Sequence, residues 1–330
     1  MKIRLMRLKF LVLLGFTSLV YQSHVRSESD TKAYPSKPIK IIVSLTAGGP
    51  TDTLARIIAP PLSQLLGQPV IIDNRPGAGG NIGADIAAKS APDGYTLYLG
   101  TSGPLSINPA LYQKLSYDPF KDFSPISQIA YAPFVIAVNP KTNINSISEL
   151  IQFAKKNPNK LNAGSVPGSA AHLSTELFKS QAGIEMTQVP YKGAAQATND
   201  LLAGQIDVSF ASLPGVYQNI KAGNLKALAT TSPKRLSQLK DIPTVSESAI
   251  SGYESSVWYG LVAPAGTPEN IIFRLNKAIQ LVLQDKKIRE QMFSNDFTPV
   301  ESSPTAFAAY IKAENVKWGS IIKARNIQSE

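Results

Sequence analysis

The sequence alternates short β-branched runs with segments of helical periodicity, and it does so in two successive series. In the first series, apolar runs at 39–43, 70–74 and 95–100 are separated by helix-period segments at about 51–66 and 82–89. Strands that alternate with helices at this spacing require a parallel sheet with right-handed crossovers. The pattern therefore predicts an α/β fold.

A second series begins with a predicted helix near residue 146 and repeats the pattern. Its predicted strands lie at 161–165, 187–190, 206–210 and 226–231, and its predicted helices at 170–182, 194–203 and 214–222. Strands at 134–140 and 258–264 are predicted to cross between the series, and helices at 268–283, 285–294 and 304–324 to follow, with Pro268 at a helix N1 position. The stretch 108–124 is predicted to be irregular.

These two series predict two lobes, each a mainly parallel sheet flanked by helices. We assign 28–138 and 258–330 to the first lobe and 139–257 to the second. A binding site is then expected between the lobes, where pockets are common.

The N-terminus has the composition of a secretory signal. Lys2, Arg4, Arg7 and Lys9 precede an apolar run at 10–20, which is short for a membrane span. We predict a signal peptide over 1–27 and export to the periplasm, with an uncleaved membrane anchor as the alternative. The absence of cysteine excludes lipid anchoring and disulfides.

Several functional classes are disfavoured by the composition and motifs. Removing 1–27 would lower the formal net charge from +10 to about +5 without leaving a basic cluster, which argues against nucleic-acid binding. The glycines at 77–83 do not fit a dinucleotide fingerprint, and no phosphate loop or GxSxG elbow occurs. Because His24 lies in the predicted signal, only His172 remains for a triad or metal site. We therefore expect no catalysis, no metal and no cofactor.

The loop after the first strand combines features suited to an anion. Gly48 and Gly49 allow a ligand close to the backbone, and the following helix N-terminus presents free N–H groups. Asp52 is predicted to cap its own helix or to accept from an amide. The loop thus predicts half of a carboxylate site.

The loop at 165–169 repeats this chemistry, with glycine and hydroxyl residues before a helix. Ordinary helix capping is the alternative interpretation of that loop. His172 either touches the ligand or packs beneath the loop, and Lys192 is either a ligand contact or a solvated charge. Two such loops, one in each lobe, would hold an anion from both sides.

Motifs along nearly the whole chain resemble those of the Bug family of extracytoplasmic solute receptors, the binding proteins of tripartite tricarboxylate transporters. The matching segments are YPSKPI at 34–39, AGGPTD at 47–52, NRPGAGGNIG at 74–83, APDGYTL at 91–97, INPALY at 107–112, VPYKG at 189–193, DIPTV at 241–245 and GLVAPAGTP at 260–268. The resemblance implies a two-lobed Venus-flytrap receptor that closes on a small, usually carboxylated, metabolite. We expect a monomer whose partners are membrane transporter subunits.

The resemblance also implies where the ligand lies. The expected ligand-binding residues are Leu45, Ala47, Gly48, Gly49, Asp52, Thr101, Ser102, Ser165, Gly168, Ser169, His172, Lys192, Gly193, Ala194 and Ala211. Leu45 replaces an aromatic residue of many relatives, and Ala211 replaces an aspartate that would suit an amino group. These departures predict an aliphatic or aromatic acid. The alternatives are a periplasmic α/β hydrolase or transferase, and a solute sensor acting through a signalling partner.

Overall fold

A computed structural model describes residues 34–191 and 193–328. The predicted signal peptide at 1–27 and the side chain of Lys192 lie outside the described residues.

The described residues form ten strands and eleven α-helices. The strands are β1 (Ile39–Val43), β2 (Val70–Asn74), β3 (Thr96–Thr101), β4 (Phe123–Val138), β5 (Asn162–Ser165), β6 (Thr187–Pro190), β7 (Val208–Ser212), β8 (Lys226–Thr230), β9 (Ser256–Pro264) and β10 (Thr298–Pro299). The helices are α1 (Pro50–Leu66), α2 (Asn81–Ala88), α3 (Asn108–Leu111), α4 (Ile147–Lys156), α5 (Ala170–Ala182), α6 (Ala194–Ala203), α7 (Leu213–Lys221), α8 (Val245–Ser248), α9 (Glu269–Gln284), α10 (Lys286–Ser294) and α11 (Pro304–Ala324). A π-helical turn, Gly103–Ile107, precedes α3.

Two parallel groups of strands form the frame of the sheet. Strand β1 lies between β2 and β3, and β5 lies between β6 and β7, with parallel pairing in each group. Strands β4 and β9 run antiparallel to their neighbours and join the two groups. We call the part that carries β1–β3 the first lobe and the part that carries β5–β8 the second lobe.

Strand β4 serves both lobes along its length. It pairs with β9 over residues 123–133 and with β7 and β8 over residues 134–138. The sequence predicted only the second of these parts, because Pro125 suggests a turn and register shifts interrupt the pairing of the first part with β9. Strand β4 changes its pairing partner from β9 to β7 between residues 133 and 134. The lobe boundaries assigned from the sequence stay a prediction.

Two further differences from the predictions concern prolines. The stretch predicted to be irregular contains α3, where Pro109 occupies an early helical position that needs no N–H donor. Pro268 is the N-cap of α9 rather than its first helical residue. Local propensity therefore missed α3 and placed the start of α9 one residue too early.

Helix α11 contributes to the apolar cores of both lobes. Phe307 and Ile311 pack with Trp258 in the first lobe, whereas Trp318 and Ile322 belong to the same buried cluster as Phe178 of α5. The predicted bounds of this helix are confirmed. Within the described residues, no helix is both long and apolar enough to cross a membrane.

Candidate functional site

A cavity of about 910 Å³ lies between loops of the two lobes. Its first wall comes from Leu45, Pro50, Thr51, Gly79, Thr101–Gly103, Ile107, Asn108, Leu111 and Tyr112. Its second wall comes from Val166–Ala170, Pro190 and Tyr191. Val257 and Tyr259 of the joining strand β9, and Gln328 after α11, complete the lining.

The first wall begins with a tight loop between β1 and α1. Gly48 has φ +80°, a left-handed conformation that glycine adopts without steric cost. The Asp52 carboxylate accepts the Gly48 N–H at 2.8 Å and the Arg56 Nε–H at 2.8 Å. The Arg56 guanidinium holds the Asp52 pKa below its ordinary value. Asp52 therefore stays ionised and fixes the loop, as the prediction of an amide partner anticipated.

Two hydroxyl groups in the first wall have no hydrogen-bond partner although they are buried. Thr51 lies in the first turn of α1, and Ser102 follows the end of β3; their exposed fractions are 0% and 1%. Neither Thr51 Oγ1 nor Ser102 Oγ bonds to another group. Because buried polar groups usually have a hydrogen-bond partner, these two hydroxyls are candidate donors to a bound molecule.

The start of α1 adds backbone donors beside these hydroxyls. Gly49 is the N-cap and supplies no side-chain cap, and Pro50 has no N–H. The first amides of a helix lack intrahelical acceptors, and the helix dipole places partial positive charge there. The first wall therefore presents hydroxyl and amide donors without a cationic side chain among the described residues that line it.

The second wall uses its polar groups differently. The Ser169 hydroxyl caps α5 by accepting the His172 backbone N–H at 3.2 Å. The Gly168 N–H donates to His172 Nδ1 at 3.1 Å, so His172 is a neutral acceptor at that nitrogen. Burial lowers the His172 pKa, which favours this neutral form. The polar groups of Gly168, Ser169 and His172 thus bond to one another.

Tyr191 gives the second wall a fixed aromatic surface. Its hydroxyl donates to Asp200 Oδ2 of α6 at 2.8 Å. Burial and this hydrogen bond raise the pKa of Tyr191 to about 12, so the phenol remains neutral. The tyrosine therefore offers a ring and no negative charge to an acidic ligand.

The structure brings only part of the predicted site together around the cavity. Leu45, Thr101, Ser102, Gly168 and Ser169 line it. The other described candidates lie outside the lining: Ala47, Gly48, Gly49, Asp52, Ser165, His172, Gly193, Ala194 and Ala211. Their roles as ligand contacts stay predictions, as does that of Lys192.

Several of these outlying candidates have structural partners. Ser165 is buried and bonds to Gln188, and Ala211 is buried on β7 opposite Val135. His172 lines a neighbouring cavity of about 540 Å³ with Glu176 and Lys179 of α5, Gln188 of β6 and residues 324–328. Ser165, His172 and Ala211 therefore lie behind or beside the second wall.

Sequence reasoning did not select some residues that line the cavity. Thr51 and Asn108 lie in the matching segments 47–52 and 107–112, but no pattern in the sequence distinguishes either residue as a ligand contact. Tyr259 and Gln328 carried no local signal, because a crossing strand and the end of a helix bring them in from distant positions. Among the described residues, no group of three or more His, Cys, Asp or Glu is arranged to hold a metal.

Comparison with known proteins identifies the family to which this arrangement belongs. Residues 54–327 match the model of TctC, the tripartite tricarboxylate transporter family receptor. The chain belongs to this family. As a TctC receptor it is a solute-binding protein and not an enzyme, in agreement with the prediction from its sequence.

Individual relatives extend this agreement over nearly the whole TctC receptor. Protein BugT of Bordetella pertussis is 38% identical over 292 residues, covering 88% of this chain and 90% of BugT. R. palustris Rpa4515, solved with adipate, is 37% identical with a TM-score of 0.77, covering 89% of this chain and 99% of Rpa4515. The periplasmic binding protein BugD is 35% identical with a TM-score of 0.73, covering 90% of this chain and all of BugD. The predicted resemblance to Bug receptors and the two-lobed fold are confirmed.

Proposed function

We propose that this receptor captures a small organic acid by its carboxylate in the cavity between the two lobes. It acts in the periplasm as a monomer after export by the segment 1–27, and its closed form is recognised by membrane subunits of a tripartite transporter. The lobes correspond to 28–138 with 258–330, and to 139–257.

One observation carries the proposal: the buried, unpartnered hydroxyls of Thr51 and Ser102 line the same cavity. A carboxylate accepts several hydrogen bonds, and those to a charged acceptor are stronger than neutral ones. The anion would satisfy both hydroxyls and the first amides of α1. The adipate complex of Rpa4515 supports this class of ligand.

The remaining lining favours an acid with an apolar body. Leu45, Ile107, Leu111, Val166 and Val257 contribute aliphatic surface to the cavity. Tyr191 adds a neutral ring, and no described lining residue is an acidic group that would bind an ammonium ion. These contacts favour aliphatic or aromatic acids over amino acids.

Closure of the lobes would bring the second wall onto an acid bound at the first wall. Exclusion of water strengthens hydrogen bonds to the carboxylate, so the closed form binds the acid more tightly than the open form. The acid therefore shifts the population toward the closed form, which a membrane partner distinguishes from the open one.

The proposal is tested by thermal shift and calorimetry with acids and matched neutral amides. The panel contains the dicarboxylates from succinate to suberate, the monocarboxylates of equal length and adipamide. An acid at about 100 times its Kd should stabilise the receptor by about 2.7 kcal/mol. Adipamide, which has the length of adipate without its charge, should give no shift. Failure of every acid, or equal binding of adipate and adipamide, would contradict the carboxylate proposal.

A further inference from the structure

The segment Arg325–Gln328, which follows α11, lines the neighbouring cavity, and its last residue also borders the cavity between the two walls. Gln328 lines the cavity and is exposed. Its side-chain amide has no hydrogen-bond partner among the described residues 34–191 and 193–328. An amide carries both donors and an acceptor, so Gln328 presents free hydrogen-bonding capacity at this edge of the site.

Helix α11 holds this segment by contacts with elements that carry the first wall. The Asn315 side-chain amide donates to the Ser106 carbonyl at 2.8 Å, in the turn that supplies Gly103 and Ile107 to the cavity. A Cβ atom at Gly319 would lie 3.5 Å from Ala110 Cβ of α3, which shows that the two helices pack closely. The second half of α11 is therefore fixed relative to the first wall.

Arg325 ties the end of the same helix to the second lobe. Its Nε–H donates to Glu176 of α5 at 2.7 Å, and its terminal nitrogens donate to the two Glu185 oxygens at 2.8 and 2.6 Å. Glu176 is buried and also pairs with Lys179 at 2.8 Å. Because α5 begins at the second wall, Arg325 fixes the segment relative to that wall too.

The backbone after Arg325 turns the chain back toward the cavity. Asn326 has φ +50°, a left-handed conformation that asparagine tolerates better than most residues. The Ile327 N–H donates to the Ile322 carbonyl at 2.9 Å, and the Ile327 side chain packs against the apolar cluster of Phe178. This Schellman-type ending of α11 sets the direction in which Gln328 leaves the helix.

We propose that Gln328 is a ligand-contacting residue that recognises a second polar group of the acid, and that Arg325 is the residue that positions it. The inference rests on the proposed function, because it assigns the first carboxylate to Thr51 and Ser102. The second group is a carboxylate or a comparable hydrogen-bonding group, since the Gln328 amide can donate to it. The receptor therefore prefers acids with two polar ends to monocarboxylates of equal length.

The experiment measures how removal of the Gln328 side chain and removal of the second carboxylate of the ligand affect the affinity, separately and together. Calorimetry compares each dicarboxylate from succinate to suberate with its equal-length monocarboxylate on wild type, Gln328→Ala and the control Lys323→Ala, an exposed change in the last turn of α11. Gln328→Ala should weaken the tightest dicarboxylate about tenfold and the monocarboxylate less than twofold, because only the former has the second group. Lys323→Ala should leave both affinities unchanged.

The positioning role of Arg325 is tested by comparing the effect of Arg325→Lys in the presence and absence of the Gln328 side chain. Arg325→Lys keeps the charge but loses the two-pronged guanidinium contact, and it should weaken the dicarboxylate several-fold in the wild-type background. In the Gln328→Ala background the same substitution should change affinity less than twofold, because residues that act as a unit are not additive. A purely structural role for Arg325 would give equal effects in both backgrounds and would overturn its assignment as a positioning residue.

The outcomes separate this inference from the proposed function. If wild type binds dicarboxylates and Gln328→Ala binds them equally well, or if wild type binds only monocarboxylates, the role of Gln328 is wrong while the carboxylate proposal stands. If wild type binds no acid of the panel, the proposed function itself fails.

Discussion

The two walls of the cavity are built from similar sequence patterns but leave their polar groups in opposite states. In the first wall, Thr51 and Ser102 keep buried hydroxyls without partners. In the second wall, the Ser169 hydroxyl accepts from His172, and the Gly168 N–H donates to His172 Nδ1. The same sequence pattern, a strand followed by glycine and hydroxyl residues before a helix, can thus leave its hydroxyl groups unpaired or can pair them within the wall.

This difference indicates an order of events in capture. Hydroxyls that already lack partners lose no protein hydrogen bond when they donate to an anion, so the only local cost at the proposed first-wall site is the movement that exposes Thr51 and Ser102, whose exposed fractions are 0% and 1%. The second wall would have to exchange internal hydrogen bonds for ligand contacts, which makes its contribution smaller. Removal of an unpaired hydroxyl in the first wall should therefore affect affinity, whereas removal of the Ser169 hydroxyl in the second wall should mainly affect stability.

The largest effect is expected for hydroxyl removal in the first wall. Thr51→Val and Ser102→Ala should each weaken binding of the tightest acid about tenfold or more, since hydrogen bonds to charged groups contribute about 1.5–3 kcal/mol. Neither change should lower the stability of the free receptor, because each removes an unsatisfied buried group. Calorimetry and urea unfolding measure the two quantities, with Thr53→Val on the same helix as the control.

A loss of stability without loss of affinity in Thr51→Val and Ser102→Ala would reverse the assignment of the first wall. In that case the hydroxyls would be structural groups, and the contrast between the walls would not hold.

The next effect concerns the carboxylate that fixes the first loop. Asp52→Asn should destabilise the receptor by about 1–3 kcal/mol, because the Gly48 amide and Arg56 both lose a charged acceptor. Since the folded Asp52 pKa is below its ordinary value, the difference from wild type is present above about pH 4 and disappears as the pH falls through the folded pKa. Urea unfolding at several pH values measures it.

Glu290→Gln provides the matched control for Asp52→Asn. Its exposed pairing with Lys286 spans 4.0 Å, so the change should alter stability by less than about 0.5 kcal/mol. Equal effects of the two substitutions would show that the first loop does not depend on Asp52.

Removal of the cap in the second wall should have a smaller effect, and mainly on stability. Ser169→Ala should cost about 1 kcal/mol, the usual contribution of a serine N-cap. Ser146→Ala is a matched control, because Ser146 caps α4 in the same way but does not line the cavity. Both should lower the unfolding free energy alike, and Ser169→Ala should change affinity only slightly. A tenfold affinity loss confined to Ser169→Ala would make the second wall equivalent to the first.

The smallest effect is a pH dependence from His172. Burial lowers its folded pKa below 6.5, so the unfolded chain binds more protons and the wild type loses stability as the pH falls below about 6.5. In His172→Asn this titration is absent. The stability difference between the two proteins should therefore shrink from about pH 7.5 to about pH 5 in urea unfolding. Parallel curves would show that the Gly168 contact does not depend on the protonation of His172.

Much of the fold follows from local patterns in the sequence. The helices at 170–182, 194–203 and 304–324 and the strand at 187–190 have their predicted bounds, because apolar periodicity, caps and glycine stops act within a few residues. The first half of β4 was missed because its prolines and irregular register obscure the strand pattern, and pairing with β9 stabilises it from a distance.

The sequence predicted lining residues of the candidate site only in loops that also carry a recognisable motif. Leu45, Ser102 and Ser169 are predicted ligand contacts and line the cavity, whereas the sequence presents Thr51 only as part of the segment 47–52 and Tyr259 only as part of a crossing strand. Local sequence identifies groups that can donate a hydrogen bond. It does not show which of them already have a partner, because partners such as His172 for Gly168 depend on how the chain folds around them.

The sequence by itself determined the α/β class, the two series of strands and helices, and the family of solute receptors, because these depend on periodicity and on motifs spread along the chain. The tertiary structure alone decided that the hydroxyls of Thr51 and Ser102 stay unpaired, that the polar groups of the second wall bond to one another, and that Gln328 reaches the cavity. The physical reason is that hydrogen-bond satisfaction is a property of three-dimensional neighbours, and residues more than 200 positions apart become neighbours only when β9 and α11 return to the first lobe.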